Sequence, residues 1–196
     1  VLLNIRYRVI GQEHLPDGKV PHVVLSKHSS TWEVLAIPLT VPQPLCFVAK
    51  KELLWIPFFG WGLKLASPIT IDRKAGREAM QQISAQGKAR HEEGFWVILF
   101  PEGTRVPPTQ KQRYKTGGAR FATTLEVPVL PIAHNAGYLW PRGIFDKRAG
   151  TITLSIGKPI SSAGKDAATL MQEVEGWIET ETARLGDPSE KTDDEA

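Results

Sequence analysis

A histidine and a glutamate, His28 and Glu33, have the residue types and the spacing of a catalytic pair. Residues five apart on one helix lie about 140° apart on its surface, so these two meet only if His28 lies in a turn before the helix. The apolar run from Val23 to Leu25 predicts a strand before that turn, and Ser30 is a candidate helix cap. A carboxylate on one imidazole nitrogen fixes the tautomer, and the other nitrogen can then act as a base on a substrate hydroxyl.

A structural role for Glu33 competes with this interpretation. Ser30 and Glu33 also have the spacing of a capping box, in which the glutamate side chain accepts a hydrogen bond from the backbone of the capping residue. Spacing alone leaves both roles open. They are compatible only if the two carboxylate oxygens of Glu33 divide the work.

A second group of candidates follows the apolar run FWVILF at 95–100, which predicts a strand buried on both faces. The next residues are Pro101, Glu102, Gly103, Thr104 and Arg105. Ligands of open α/β sheets bind beyond the carboxyl ends of strands. Gly103 allows close backbone approach, and the Arg105 guanidinium offers a two-pronged donor to a phosphate. The alternative is an ordinary turn with a surface arginine.

Two further segments lie at predicted strands. Ile69 to Ile71 predicts a short strand, and Arg73 follows it where a helix is expected to begin, a position that favours anions. A local pair between Asp72 and Arg73 is the alternative. The segment from Val127 to Ala133 contains two prolines, which predict an edge or irregular strand and a wall of the site.

Strands and helices alternate along the chain. Strands are predicted at 5–10, 20–26, 45–49, 69–71, 95–100, 127–133 and 151–156, and helices at 30–38, 76–90, 117–126 and 166–185. Apolar and basic residues alternate within 5–10, which predicts an edge strand. The order of elements predicts an α/β sandwich around a mixed, largely parallel sheet.

The charge of the chain is unevenly distributed. The net charge is +3, but residues 186–196 hold five acidic residues against one lysine. We therefore expect one basic domain at 1–185 and an acidic, disordered tail at 186–196. A basic body favours an anionic partner. Nucleic acid is not favoured, because the chain has no basic run and its aromatic residues cluster with aliphatic ones.

Metal binding and membrane spanning have little support in the sequence. Cys46 is the only cysteine, and the five histidines lack ligand-like spacing. No segment reaches the roughly 18 apolar residues that predict a membrane-spanning helix. The segment LLWIPFFGWGL at 53–63 follows two lysines, Lys50 and Lys51, and is typical of a membrane interface. A buried hydrophobic elbow is the alternative.

Taken in order, these segments resemble the glycerophospholipid acyltransferase family. The resemblance runs from about residue 7 to 160. The matching segments are Gly11 to Pro16, His28 to Glu33, Ala49 to Leu53, Ile69 to Arg73, Phe100 to Arg105, Lys115 to Gly117 and Val127 to Pro131. It implies the αβα sandwich of glycerol-3-phosphate acyltransferase-like proteins, with an acyltransferase domain at 1–185.

The resemblance also implies an activity. A fatty acyl group would pass from acyl-CoA or an acyl carrier protein directly to the free hydroxyl of 1-acyl-glycerol 3-phosphate, giving phosphatidic acid. His28 would be the general base and Glu33 its orienting carboxylate. The implied acceptor-binding residues are Lys50, Arg73, Glu102, Gly103, Thr104 and Arg105. The two arginines would hold the phosphate, and no cofactor or metal is implied.

The chain departs from the family's usual His-x4-Asp pattern at Glu33. Glutamate keeps the charge and adds one methylene, so we expect activity to survive. Family members commonly carry membrane-binding helices before this block, and the chain begins at Val1 rather than Met. The expected location is the cytoplasmic face of the bacterial inner membrane, with an anchoring segment absent from this chain. The alternatives are another acceptor, such as glycerol 3-phosphate or another lysolipid, and a non-catalytic module that binds anionic lipid.

Overall fold

The computed structural model describes residues 4–18, 20–55, 57, 61, 68–71, 77–143 and 146–189. The strands in this part of the chain are β1 (Ile5–Ile10), β2 (Val23–Ser26), β3 (Leu45–Lys50), β4 (Ile69–Ile71), β5 (Trp96–Leu99), β6 (Val129–His134) and β7 (Gly150–Ile156). The α-helices are α1 (Trp32–Thr40), α2 (Arg77–Glu92), α3 (Gly117–Leu125), α4 (Ala136–Leu139) and α5 (Ala167–Leu185), with 3-10 helices at Gln12–His14 and Lys51–Trp55.

The strands form a sheet in the order β1-β7-β6-β2-β5-β3-β4. Neighbouring strands are parallel except β6 and β7, which are antiparallel. This mixed, largely parallel sheet confirms the predicted fold class. β1 lies at one end of the order, so the prediction of an edge strand at 5–10 is also confirmed.

Helices cover both faces of the sheet. Side chains of successive strand residues point to opposite faces. Val23 and Leu25 of β2 therefore pack in one cluster with residues of α2, α3 and α5, while Val24 packs in a second cluster with α1 and α4. Strands of a parallel sheet are normally buried on both faces, because helices cover each side. The two clusters make the layered αβα arrangement that the resemblance implied.

Helix α1 begins and ends two residues later than predicted. Pro38 lies inside the helix, at the position where the sequence suggested that it ends. The helix continues past Pro38 because residues after it, which do not need the missing proline N–H, donate hydrogen bonds to carbonyls of the preceding turn. Val41 N–H donates to the Ile37 carbonyl at 2.9 Å, and the Thr40 hydroxyl donates to the Ala36 carbonyl at 2.9 Å.

The prediction that 127–133 forms an edge or irregular strand is wrong. β6 lies between β7 and β2, and all six of its residues are buried. Pro131 is tolerated because the antiparallel pairing with β7 begins one residue later, at Ile132 and Ile156. Its carbonyl still accepts a hydrogen bond from Gly157 N–H at 2.9 Å.

Two predicted segments fall largely outside the described residues. Within 53–63, the exposed side chains described are those of Trp55, which is 80% exposed, and Trp61, which is 60% exposed. The expected acidic tail is described only as far as Ser189. Among the described helices, none has the length and apolarity needed to cross a bilayer.

Candidate active site

Two neighbouring parallel strands bring the main candidate segments together. β2 ends at Ser26 and β5 ends at Leu99, so the loops that follow them leave the same edge of the sheet. His28 N–H donates to Glu102 Oε1 at 3.0 Å, and Val106 N–H donates to the His28 carbonyl at 2.8 Å. Both the backbone N–H and the backbone carbonyl of His28 are thus hydrogen-bonded to the segment after β5.

His28 and Glu33 form a hydrogen-bonded pair. His28 Nδ1 lies 2.8 Å from Glu33 Oε1. Because the carboxylate is an acceptor, Nδ1 carries the hydrogen and Nε2 is left as the basic nitrogen. The Glu33 side chain is fully buried, whereas that of His28 is 17% exposed. The Phe100 ring stacks on the imidazole with centroids 4.1 Å apart, which fixes the plane of the ring.

Glu33 also bonds the backbone at the start of α1. Ser30 N–H donates at 3.1 Å to Oε1, the same oxygen that contacts His28. The expectation that the two oxygens divide the work is therefore wrong, since one oxygen serves both donors. The other half of a capping box is missing. In a capping box the Ser30 hydroxyl would accept from the backbone N–H of Glu33. Here it accepts from Trp32 N–H instead and donates to the Trp140 carbonyl.

A buried histidine lies beside the second oxygen of Glu33. Within the described part of the chain, Glu33 Oε2 is buried without a hydrogen-bond partner, and His134 Nε2 lies 3.8 Å away. Ala136 N–H donates to His134 Nδ1, so Nε2 carries the hydrogen and donates to the Lys27 carbonyl at 2.9 Å. Burial lowers the pKa of His134, which favours this neutral form.

The four candidates that follow β5, Glu102 to Arg105, lie in different surroundings. Glu102 is turned into the protein, where burial raises its pKa. Gly103 lines a pocket beside His28 and has φ of 73°, and a Cβ there would lie 2.8 Å from Lys115 Nζ. Thr104 is exposed, and Arg105 donates to the Thr31 hydroxyl at 2.6 Å, three residues after His28.

Two other candidates have no described side chain. Arg73 lies outside the described residues. Lys50 is the last residue of β3, and its backbone pairs with Ile71 of β4.

A pocket of about 660 Å³ opens beside His28. One part of its wall is aliphatic and is formed by Val48, Ile71, Ile83 and Leu99. Another part is basic and is formed by Arg113, Lys115 and Arg120. The pocket is thus lined by aliphatic and cationic side chains together with the candidate base.

Most of these basic residues, and His134, were not predicted from the sequence. Lys115 appeared only within a segment that resembles the family, and Arg113 and Arg120 carry no motif. His134 ends β6, so the order of strands in the sheet was needed to place it near β2. Within the described residues, no group of three His, Cys, Asp or Glu side chains could hold a metal ion.

Fold, pocket and His–carboxylate pair together have the form of an acyl-transfer enzyme. Residues 6–135 match the model of the Acyltransferase family, and the chain belongs to that family. It is 43% identical over 188 residues to the 1-acyl-sn-glycerol-3-phosphate acyltransferase of Pseudomonas aeruginosa, covering 94% of this chain and 72% of that protein.

More distant relatives agree in kind. The human 1-acyl-sn-glycerol-3-phosphate acyltransferase alpha is 34% identical over 131 residues, which are 67% of this chain and 46% of the human protein. The crystal structure of the 1-acyl-sn-glycerophosphate (LPA) acyltransferase PlsC from Thermotoga maritima superposes with a TM-score of 0.76 at 25% identity. The match covers 94% of this chain and 73% of the Thermotoga chain.

Proposed function

We propose that this chain transfers a fatty acyl group from a thioester donor to the free hydroxyl of 1-acyl-sn-glycerol 3-phosphate, giving phosphatidic acid. The observation that carries the proposal is the His28–Glu33 pair, joined at 2.8 Å and set beside a pocket that has both aliphatic and basic walls. The names of the bacterial and human relatives support the same reaction.

His28 is the general base of this reaction. Its Nε2 takes the proton of the acceptor hydroxyl as the oxygen attacks the thioester carbonyl. The tetrahedral intermediate collapses, the carbon–sulfur bond breaks, and the leaving thiolate takes the proton from His28. Glu33 stabilises the imidazolium that exists between these two proton transfers.

Transfer occurs without an acyl-enzyme intermediate. The two serines next to the base are both buried. The Ser30 hydroxyl is already bonded to Trp140 and Trp32. Neither serine is therefore presented to a donor in the pocket. The detection of a covalent acyl-serine adduct during turnover would contradict this step.

Different side chains suit the two parts of a lipid substrate: the aliphatic wall of the pocket suits the acyl chain, and Arg105, which does not line that pocket, suits the phosphate. The aliphatic wall takes an acyl chain, because burial of each methylene contributes about 0.8 kcal/mol. Arg105, which is held at the start of α1 by Thr31, takes the acceptor phosphate together with Arg73. Glu102 and Gly103 shape the acceptor pocket, and Thr104 and Lys50 are further residues proposed to bind the acceptor.

The enzyme acts at a membrane surface. Leu35 and Leu39 lie one turn apart on α1, and they are 63% and 83% exposed. Trp55 and Trp61 are exposed as well, and the chain has a net charge of +3. Exposed leucines and tryptophans on a basic protein suit the interface of an anionic bilayer. The proposed partners are thus a membrane, a lysophospholipid acceptor, and acyl-CoA or an acyl carrier protein.

The test is an assay in detergent micelles with lysophosphatidic acid and labelled acyl-CoA or acyl carrier protein. Wild type is expected to form phosphatidic acid, and His28→Ala is expected to lose about 10²- to 10⁴-fold in rate. Folding of the variant is checked by circular dichroism. Equal rates for the two proteins would exclude His28 as the base. Binding of both to anionic vesicles with no product from either donor would instead favour the non-catalytic lipid-binding module.

A further inference from the structure

The residue that precedes the candidate base, Lys27, is a buried lysine. The Lys27 side chain is 1% exposed, and its Nζ donates to Glu179 Oε1 at 2.6 Å. Tyr114 OH donates to the same oxygen at 2.7 Å. Glu179 lies on α5, so one carboxylate of the last described helix joins the loop that carries His28 to a wall of the pocket.

Glu179 compensates the charge of the buried Lys27 ammonium group. A buried ammonium group is strongly disfavoured unless an ionised partner lies close to it. Glu179 Oε1 is at hydrogen-bond distance from Lys27 Nζ, whereas Glu102 Oε1 lies 3.6 Å from it. Burial also raises the pKa of Glu102, which makes its carboxylate the weaker partner. Glu179 therefore carries most of the compensation for the buried lysine.

This arrangement leaves Glu102 available to hold the base. Glu102 Oε1 accepts the His28 N–H at 3.0 Å, so the backbone of the base depends on where that oxygen lies. Without Glu179, the Lys27 ammonium group would have Glu102 as its remaining nearby carboxylate. The resulting attraction would draw Glu102 away from His28 N–H. Tyr114 would lose its acceptor at the same time.

We propose that Glu179 is a positioning residue for acyl transfer, acting on His28 through Lys27 and Glu102, with the Tyr114 hydroxyl holding the same Glu179 oxygen in place. The inference rests on the proposed function. It extends the catalytic unit to α5, which lies beyond the 6–135 region that matches the family model. Glu179 itself does not touch the substrate.

The first variant is Glu179→Gln, which keeps the shape of the side chain and removes its charge. We expect kcat to fall about 10- to 100-fold through displacement of the base, with unchanged KM for both substrates. The matched control is Glu173→Gln on the same helix, where an exposed pair with Lys165 is lost. The control is expected to keep the wild-type kcat.

A second readout does not depend on turnover. The backbone amide NMR signal of His28 is expected to move in Glu179→Gln and to stay in place in Glu173→Gln. If Glu179→Gln does not fold, Tyr114→Phe decides, since it removes one bond to Glu179 and keeps the ring. A fall in kcat at constant KM in Tyr114→Phe supports the proposal.

The contrary outcomes are equally definite. A folded Glu179→Gln with wild-type kcat and an unmoved His28 amide overturns the proposal, and so does an unchanged kcat in Tyr114→Phe when the glutamine variant does not fold. In both cases the wild type still makes phosphatidic acid, so the proposed function stands. A folded but inactive wild type would refute the proposed function, and this inference with it.

Discussion

Glu33 illustrates how much one oxygen atom can do. Its Oε1 accepts from His28 Nδ1 and from Ser30 N–H, so it orients the base and secures the start of α1 at once. From the spacing in the sequence, these two roles of Glu33 were competing interpretations. They are combined because His28 precedes the helix and folds back over its first turn, which brings the imidazole and the Ser30 amide to the same side of the carboxylate.

The charge and the shape of Glu33 can be separated by Glu33→Gln. The amide oxygen still accepts a hydrogen bond, so we expect the fold to survive with a modest decrease in melting temperature. The lost charge no longer stabilises the imidazolium, and by analogy with serine proteases the rate falls by up to about 10⁴-fold. Rate and melting curve are measured on the same preparation. A fully active Glu33→Gln beside an unfolded Glu33→Ala would reduce Glu33 to a cap.

Arg105 offers a test of how the acceptor phosphate is bound. In Arg105→Ala we expect the KM for lysophosphatidic acid to rise more than the KM for acyl-CoA, because only the acceptor phosphate is proposed to meet this side chain. Steady-state kinetics with each substrate varied in turn measures both constants. Equal increases in the two KM values would count against a phosphate clamp at Arg105.

The limits of sequence reasoning at this scale follow from burial. His28 and Glu33 are close in the chain, so local geometry predicts that they meet. Lys27 adjoins His28 in the sequence, yet a lysine is normally exposed, and its partner Glu179 is 152 positions away. Only the tertiary structure shows that this lysine is buried.

At the scale of elements, hydrophobic patterns predicted most of the strands and helices. The prediction for 95–100 corresponds to β5, and that for 166–185 corresponds to α5. Proline was the misleading residue. It suggested an early end for α1 and an edge or irregular strand at 127–133, but in both places neighbouring bonds compensate for its missing N–H.

Helix α1 allows a test of membrane contact. We expect Leu35→Ser/Leu39→Ser to weaken binding to vesicles of phosphatidylglycerol and phosphatidylethanolamine by at least about 10-fold, because burial of two leucines contributes several kcal/mol. Vesicle flotation measures the bound fraction. Val20→Ser is the control, since Val20 is 54% exposed and lies on another segment. Similar losses in both proteins would show that α1 has no special part in binding.

For the whole molecule, the fold class was predictable and the order of strands was not. Alternating elements imply helices on both faces of a sheet, and the two core clusters have that arrangement. Nothing in the sequence indicates that β2 lies between β6 and β5, or that β7 runs against β6. The order of the strands decides which loops lie next to one another. The buried part of the site could therefore not be predicted from the sequence.

Stability of the whole molecule is expected to decrease on mild acidification. Burial is the main cause of the lowered pKa of His22, so the folded state keeps this ring neutral. The unfolded chain binds a proton near the ordinary histidine pKa of about 6.5. The contribution of His22 is thus complete above that pH and is lost as the pH falls below it.

The matching experiment compares melting temperatures of wild type and His22→Gln between about pH 7.5 and pH 5.5. His22→Gln is less stable throughout, because it loses the contact with Trp96 at 4.7 Å between centroids. The difference between the two proteins is expected to narrow as the pH falls. Curves that stay parallel across this range would exclude His22 as a source of the pH dependence.

The link between Lys27 and Glu179 has a consequence for synthesis on the ribosome. Lys27 is translated before its partner, and Glu179 follows it 152 positions later. At about 5–20 residues per second, this interval lasts about 8 to 30 seconds. During that time the nascent chain already holds His28 and Glu33 but lacks the carboxylate that compensates the lysine. We therefore expect acyl transfer to begin only after α5 has left the exit tunnel and docked.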